Sequence, residues 1–178
     1  MRKLRHHEKK LLRKVDFYDK KLRAGEIMRR YHIQNREDYT KYNRLAGKIT
    51  KLVAMLRELD PNDKIRQVTT DHLLTKLYAM GVLTNKTTQL SDCEQLSTSR
   101  FCARRLPVVM VRLKMAQTVK EAVKLVEQGH VRVGPDPVTD PAYLVTRQRE
   151  DLVTWVDNSK IRRHVLKYND KLDDFDLL

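Results

Sequence analysis

Between Ser99 and Val145 the chain reads SRFCARRLPVVMVRLKMAQTVKEAVKLVEQGHVRVGPDPVTDPAYLV, a stretch that permits few folds. A basic helix is expected to run to about Met115. Thr118 and Glu121 form the T-x-x-E pattern of a capping box, in which each side chain satisfies a backbone N–H at a helix start. Val119, Ala122, Val123, Leu125 and Val126 follow at helical spacing. Gly129 stands where a left-handed cap would stop this second helix. His130-Val131-Arg132-Val133 then alternates as a short strand, Gly134-Pro135-Asp136-Pro137 is turn chemistry, and Tyr143-Leu144-Val145 reads as a returning strand. Two helices, a small antiparallel sheet and arginines crowded on the first helix suggest an RNA-binding module of α+β class.

Charge points the same way. The chain carries a net +14, which favours a polyanionic partner. Residues 1–60 hold 18 Lys/Arg against 8 Asp/Glu, and the remainder holds 19 against 15. The N-terminal third is therefore a basic arm, whereas Asp173-Asp174-Phe175-Asp176 makes an acidic ending. Cys93 and Cys102 give neither a disulfide framework nor a metal-ligand spacing. No secretory leader or membrane span is read from the chain. The residues at its start are Arg/Lys-rich, but Glu8, Asp16 and Asp19 argue against a transit peptide.

The flanks read as helical. Residues 1–24 alternate basic residues with Leu4, Leu11, Leu12, Val15 and Phe17, giving a short basic amphipathic helix: either a solvated arm with one apolar face, or a surface for phosphates and a partner, with an anionic membrane ranked lower. Residues 25–35 read as a hinge. From Arg36 to Leu59, a coiled-coil-like seam of Tyr42, Leu45, Ile49, Leu52, Leu56 and Leu59 predicts a long helix that needs another helix to cover it. A further helix over 70–80, capped by Thr70 or Asp71 and closed by Gly81, would form a hairpin with it. Residues 82–98 read as a loop with one helical turn. Leu152–Val156 reads as a strand containing Trp155, either a packing residue or a stacking platform. Ser159 caps a last helix. The division is a basic helical extension (1–98), the module (99–146) and a C-terminal strand–helix extension with the acidic tail (147–178).

Catalytic patterns are missing. The six histidines form no H-E-x-x-H or Cys/His ligand set, and there is no phosphate-cradling glycine loop or G-x-S-x-G. No cofactor, metal or small-molecule substrate is expected. The binding chemistry is concrete. Arg104, Arg105, Arg112 and Lys114 fall on the first module helix, and Lys120 and Lys124 on the second. Each can neutralise a phosphate, and arginine can also bind bidentately or stack on a base. Arg105 and Arg112 lie two turns apart on one face; Arg104 lies about 100° away, free for a salt bridge or a neighbouring surface. Thr118 offers a phosphate site at a helix start, or serves as cap alone. His130 and Arg132 share one side of the strand, His130 as a ligand or as a structural histidine.

Arg105-Leu106, Arg112, Ala116, Thr118, Ala122, Gly129-His130-Val131, Val133, Val138, Pro141 and Tyr143 resemble the S-four-type RNA-binding domain. Many of its members carry Asn-Gly where this chain has Gly134-Pro135-Asp136. The resemblance narrows over the flanks: R-K-L-R-H-H-E-K-K-L-L-R-K-V-D-F at the start, Tyr31 to Tyr39, Lys76 to Gly81, Gln128 to Pro135, and Thr154 to Ile161. Together with the Gly-Pro turn and the acidic ending, these are similar to the S-four-domain components of the U-three small nucleolar ribonucleoprotein. The resemblance implies a nucleolar, non-catalytic RNA binder of the small-subunit processome. It implies U-three snoRNA and pre-rRNA as RNA partners, a processome scaffold protein on the helical extensions, and help with snoRNA–pre-rRNA pairing for early cleavage. A structural protein of the mature small subunit and an RNA-modifying enzyme are the alternatives.

Overall fold

The computed structural model describes residues 2–85 and 89–171, with backbone alone for 12–22. The acidic ending and the side chains of Leu12, Val15 and Phe17 lie outside the described residues. Helix α1 spans His6–Arg30. Glu8 accepts the Arg5 N–H at 2.8 Å, closing the first turn. The hinge expected over residues 25–35 is shorter, because α1 continues to Arg30. Helix α1 runs through Gly25, whose missing Cβ would meet nothing within 4 Å, and turns only at Tyr31 and His32, where His32 adopts φ +47°.

Helix α2 spans Arg36–Glu58, close to expectation. Its buried line is different: Tyr42, Ala46, Val53 and Leu56 face inward, while Leu45 is 41 % exposed and Leu52 and Leu59 are also exposed. Both lines share Tyr42 and Leu56, and Ile49 packs partly buried against the core. The core lies on the side of the small residues because α2 packs chiefly on two short helices, α4 (Leu90–Glu94) and α5 (Thr98–Cys102). Tyr42 stacks on Phe101, ring centroids 6.5 Å apart and 8° from parallel. The expected hairpin with a helix at 70–80 is therefore not the main packing of α2. Helix α3 begins earlier, at Lys64–Ala79, because Asp63 accepts the Ile65 N–H at 3.0 Å. It supplies Leu77 and, past the Gly81 turn, Val82 and Leu83 to the same core.

Beyond α5 the chain builds a second core. The single basic helix expected up to Met115 is broken at Ala103–Arg105, and α6 spans Leu106–Arg112. Proline is the reason: a continuous helix would need a Pro107 N–H for the Ala103 carbonyl, and proline has none. The Arg112 side chain takes that carbonyl instead, at 3.2 Å. Helix α7 spans Val119–Glu127, with Thr118 accepting the Glu121 N–H at 3.2 Å and Gly129 at φ +74° just beyond.

Strand β1 (Val131–Val133) lies between β2 (Asp136–Pro137) and β3 (Val153–Trp155), all antiparallel. The Tyr143–Val145 segment does not return onto β1. Leu144 bridges to Arg105, with the Leu106 N–H donating to the Tyr143 carbonyl and the Val145 N–H to the Arg104 carbonyl, each at 2.9 Å. The third strand comes instead from beyond a 3-10 turn, Arg147–Leu152. Leu106, Val109, Met110, Ala122, Val126, Val131 and Val145 fill the core between helices and sheet, with Trp155 packed against its edge. Helix α8 (Lys160–Tyr168) follows its Ser159 cap as expected. No helix among the described residues is long and apolar enough to cross a membrane.

Candidate nucleic-acid interface

The nine basic and polar residues singled out by sequence divide into three groups. Lys114, Thr118, Lys120 and Lys124 are exposed around the α6–α7 junction and the outer face of α7. Their positions follow from the local fold. Helix α6 stops with Lys114 in the left-handed region at φ +59°, where the Met115 N–H reaches back to the Met110 carbonyl at 2.9 Å. Ala122, Val123, Leu125 and Val126 turn one side of α7 into the core, which leaves Lys120 and Lys124, one turn apart, on the solvent side. None of the three lysines forms a salt bridge among the described residues. Their ammonium groups are free for phosphates. The Thr118 hydroxyl is occupied as the helix cap.

The second group is turned inward. Arg104 is 5 % exposed. Its Nε and Nη2 donate to the Val145 carbonyl at 3.0 and 2.7 Å, and its Nη1 to Glu150 at 2.9 Å. Arg105 is 2 % exposed and meets Asp38 of α2 at 3.4 Å and the Tyr42 hydroxyl at 3.5 Å. The expectation that Arg105 lies on an exposed helix face is corrected by this burial, and Arg104 takes the salt bridge that the sequence left open for it. They sit in the break between α5 and α6, where the chain passes through the interior, and a charge buried there must be paired. Arg105 joins the helical extension to the module, and Tyr42 completes the joint by donating to the Ala142 carbonyl at 3.3 Å. Burial raises the Tyr42 pKa above its ordinary value, although the Arg105 charge works against this.

Arg112, His130 and Arg132 are intermediate. Arg112 keeps 48 % of its side chain exposed while donating to Glu150 at 3.2 Å. The shared sequence face of Arg105 and Arg112 does not survive, because Arg105 precedes the helix and points inward. His130 is half-buried with Nδ1 3.0 Å from the Ser159 hydroxyl, which favours its structural reading. Arg132 donates to Thr154 Oγ1 at 3.1 Å and to Asp157 at 2.6 Å. Asp157 also pairs with Arg162 of α8.

Two further arginines escaped the sequence reading. Arg100 is exposed on α5. Arg147 begins the 3-10 turn, lies 4.2 Å over the Tyr78 ring, and donates to the Leu83 and Thr84 carbonyls at 2.7 and 3.0 Å. Arg100 lies only four residues before Arg104, whereas Arg147 comes to the same cleft as Arg104 and Arg112 only through the fold.

Two packed helices, a three-stranded antiparallel sheet and a lysine-bearing outer face define an S4-domain protein. Comparison with known families agrees: residues 104–153 match the S4 domain, and residues 3–103 match the ribosomal protein S4/S9 N-terminal domain. The U3 small nucleolar ribonucleoprotein protein IMP3 of Saccharomyces cerevisiae is 58% identical over 181 residues, covering 99% of this chain and 98% of that protein. Its Homo sapiens counterpart is 52% identical with the same coverage of each chain. The small ribosomal subunit protein uS4 of Hyperthermus butylicus is 30% identical over 82% of this chain and 81% of that protein. The chain belongs to the IMP3 family of U3 small nucleolar ribonucleoprotein proteins, within the wider group of S4-type proteins.

Proposed function

We propose that this protein is a non-catalytic RNA-binding factor of small-subunit assembly. In this reading it acts in the nucleolus within the U3 ribonucleoprotein and stabilises U3 snoRNA pairing with pre-rRNA for early cleavage. The observation that carries it is end-to-end likeness to proteins named as U3 components, at 58% and 52% identity. Likeness to uS4 is weaker and spans less of the chain, which places a structural role in the mature subunit second.

The chemistry supports the reading. Lys114, Lys120 and Lys124 present positive charge at the module surface that is unpaired among the described residues, and RNA of A-form shape is held largely through phosphate and 2′-OH contacts. Arg104 and Arg105 serve the module by fixing its frame. Two strands of RNA that repel one another pair faster on a surface that neutralises both. The division into an extension (1–98), a module (99–146) and a C-terminal segment (147–178) is proposed with one refinement: β3 of the last segment completes the module's sheet. The extension is proposed to hold the scaffold protein.

An annealing assay tests this. Purified protein mixed with transcribed U3 snoRNA and a labelled pre-rRNA leader should speed duplex formation and slow strand separation. Unchanged rates of both at saturating protein would remove the pairing role.

A further inference from the structure

Between the Gly81 turn, α5, α6 and the 3-10 turn lies a cleft of about 390 Å³ whose lining includes four arginines, Arg100, Arg104, Arg112 and Arg147, and one carboxylate, Glu150, which pairs with Arg104 and Arg112. We infer that this cleft is a dedicated seat for one phosphodiester of the bound RNA, placed at the seam between helical extension and module and separate from the lysines of α7. The inference rests on the RNA-binding reading above and adds a defined site to it.

The cleft is built rather than accidental. Arg104 forms its floor, fixed by the Val145 carbonyl. It holds Glu150, and Glu150 in turn orients Arg112, whose side chain stays half exposed. Glu150 is ionised: burial alone would raise its pKa, but hydrogen bonds and charge from Arg104 and Arg112 bring it below the ordinary carboxylate range. That single negative charge serves two arginines. Arg147 is positioned by two carbonyls and the Tyr78 ring, none of which cancels its charge. Its Nε is buried without a hydrogen-bond partner among the described residues. Arg100 stands exposed at the rim, with no ion pair among the described residues. Among the described residues three positive charges therefore remain uncompensated around a concave space, on side chains of which two are already ordered. Guanidiniums that need no reordering are suited to grip the oxygens of a phosphate. A free lysine face would give only a diffuse field.

The test uses the full-length protein and transcribed U3 snoRNA, with affinity measured across a range of salt concentrations. A single phosphate contact lowers the slope of log K against log salt by roughly 0.7 to 0.9 when removed. Arg100→Gln should weaken binding and reduce the slope. The double variant Arg100→Gln with Arg147→Gln should bring the total reduction to that of one phosphate, because both residues serve the same group. Arg100 has no ion pair to lose among the described residues, so its variant should melt as the wild type does and remains informative if Arg147→Gln unfolds. An unchanged slope for Arg100→Gln, with Lys114→Gln, Lys120→Gln and Lys124→Gln together still flattening it, would overturn the cleft and leave the RNA-binding reading standing. A double variant that loses about twice the single-phosphate slope would also overturn it, by making the arginines independent contacts. Wild-type protein with no salt-dependent affinity for this RNA would remove both readings.

Discussion

Gly81 lies against the guanidinium of Arg104 so closely that a Cβ at position 81 would stand 2.6 Å from Arg104 Cζ and 2.7 Å from Nε. The two residues belong to different parts of the fold, the end of α3 and the break before α6. Arg104 cannot retreat, because three hydrogen bonds hold it. Gly81 also adopts φ +73°, a region that side chains enter at a cost of about 1–2 kcal/mol. Adding the clash, Gly81→Ala should destabilise the protein by about 2–4 kcal/mol. Urea denaturation measures this; a loss below half a kcal/mol would mean that the α3 turn is not pressed on Arg104.

Glu150 gives the fold a pH dependence of known sign. Its carboxyl titrates below the ordinary range in the folded protein. A depressed folded pKa contributes stability that is present above the unfolded value, about 4.3, and is lost as pH falls through the folded value. Glu150→Gln should therefore cost about 1–3 kcal/mol near neutrality, since it leaves Arg104 buried beside a neutral group. The gap between variant and wild type should close as the pH drops through the folded pKa. Denaturation curves at a series of pH values from 7 down to about 3 follow it; a gap that is constant with pH would assign the cost to packing instead.

Along α2 the structure and the heptad pattern make different predictions. Val53 is fully buried, whereas Leu45 is largely exposed. Val53→Ala should cost about 1–3 kcal/mol, and Leu45→Ala should stay within about 0.5 kcal/mol. Thermal or chemical denaturation of the two variants decides which line of α2 faces the core. The reverse order would restore the seam of large residues.

Much of this fold is legible in the sequence where a local signal decides the outcome. Thr118 and Gly129 delimit α7 because capping and left-handed geometry act within a few residues. Pro61 lies just past the end of α2, and Ser159 starts α8. Where distant residues decide, the signal fails. The line of α2 that faces inward depends on α4 and α5, far along the chain. Nothing local tells Leu144 to pair with Arg105, or Val153–Trp155 to become the third strand. Candidate site residues divide the same way. Lys120 and Lys124 are exposed because helical periodicity says so. Arg104 and Arg105 look like the outer face of a helix until Pro107 breaks that helix and turns both inward. Arg100 and Arg147 have no pattern to betray them.

Arg105 is predicted to matter for folding. Its partners Asp38 and Tyr42 lie on α2, so Arg105→Met should leave Asp38 without its arginine and cost about 1–3 kcal/mol. At a temperature where that variant is still folded, RNA affinity and its salt slope should match the wild type. A flattened slope in folded protein would return Arg105 to the RNA interface.

The module's outer lysines supply the opposite case. Lys114→Gln, Lys120→Gln and Lys124→Gln combined should leave the melting temperature within a degree or two, since none of them is paired among the described residues. The same variant should reduce the salt slope by up to roughly 0.7 to 0.9 for each lysine that meets a phosphate. Retention of the full slope would remove the α7 face as an RNA surface.

The proposed function puts this chain on the precursor of the small subunit, within the U3 ribonucleoprotein, and not in the mature subunit. Ultraviolet crosslinking of the tagged protein in growing cells, followed by sequencing of the attached RNA, tests it most directly. The account predicts reads on U3 snoRNA and on the pre-rRNA it pairs with. Reads confined to mature small-subunit RNA would contradict it and make the chain a structural ribosomal protein.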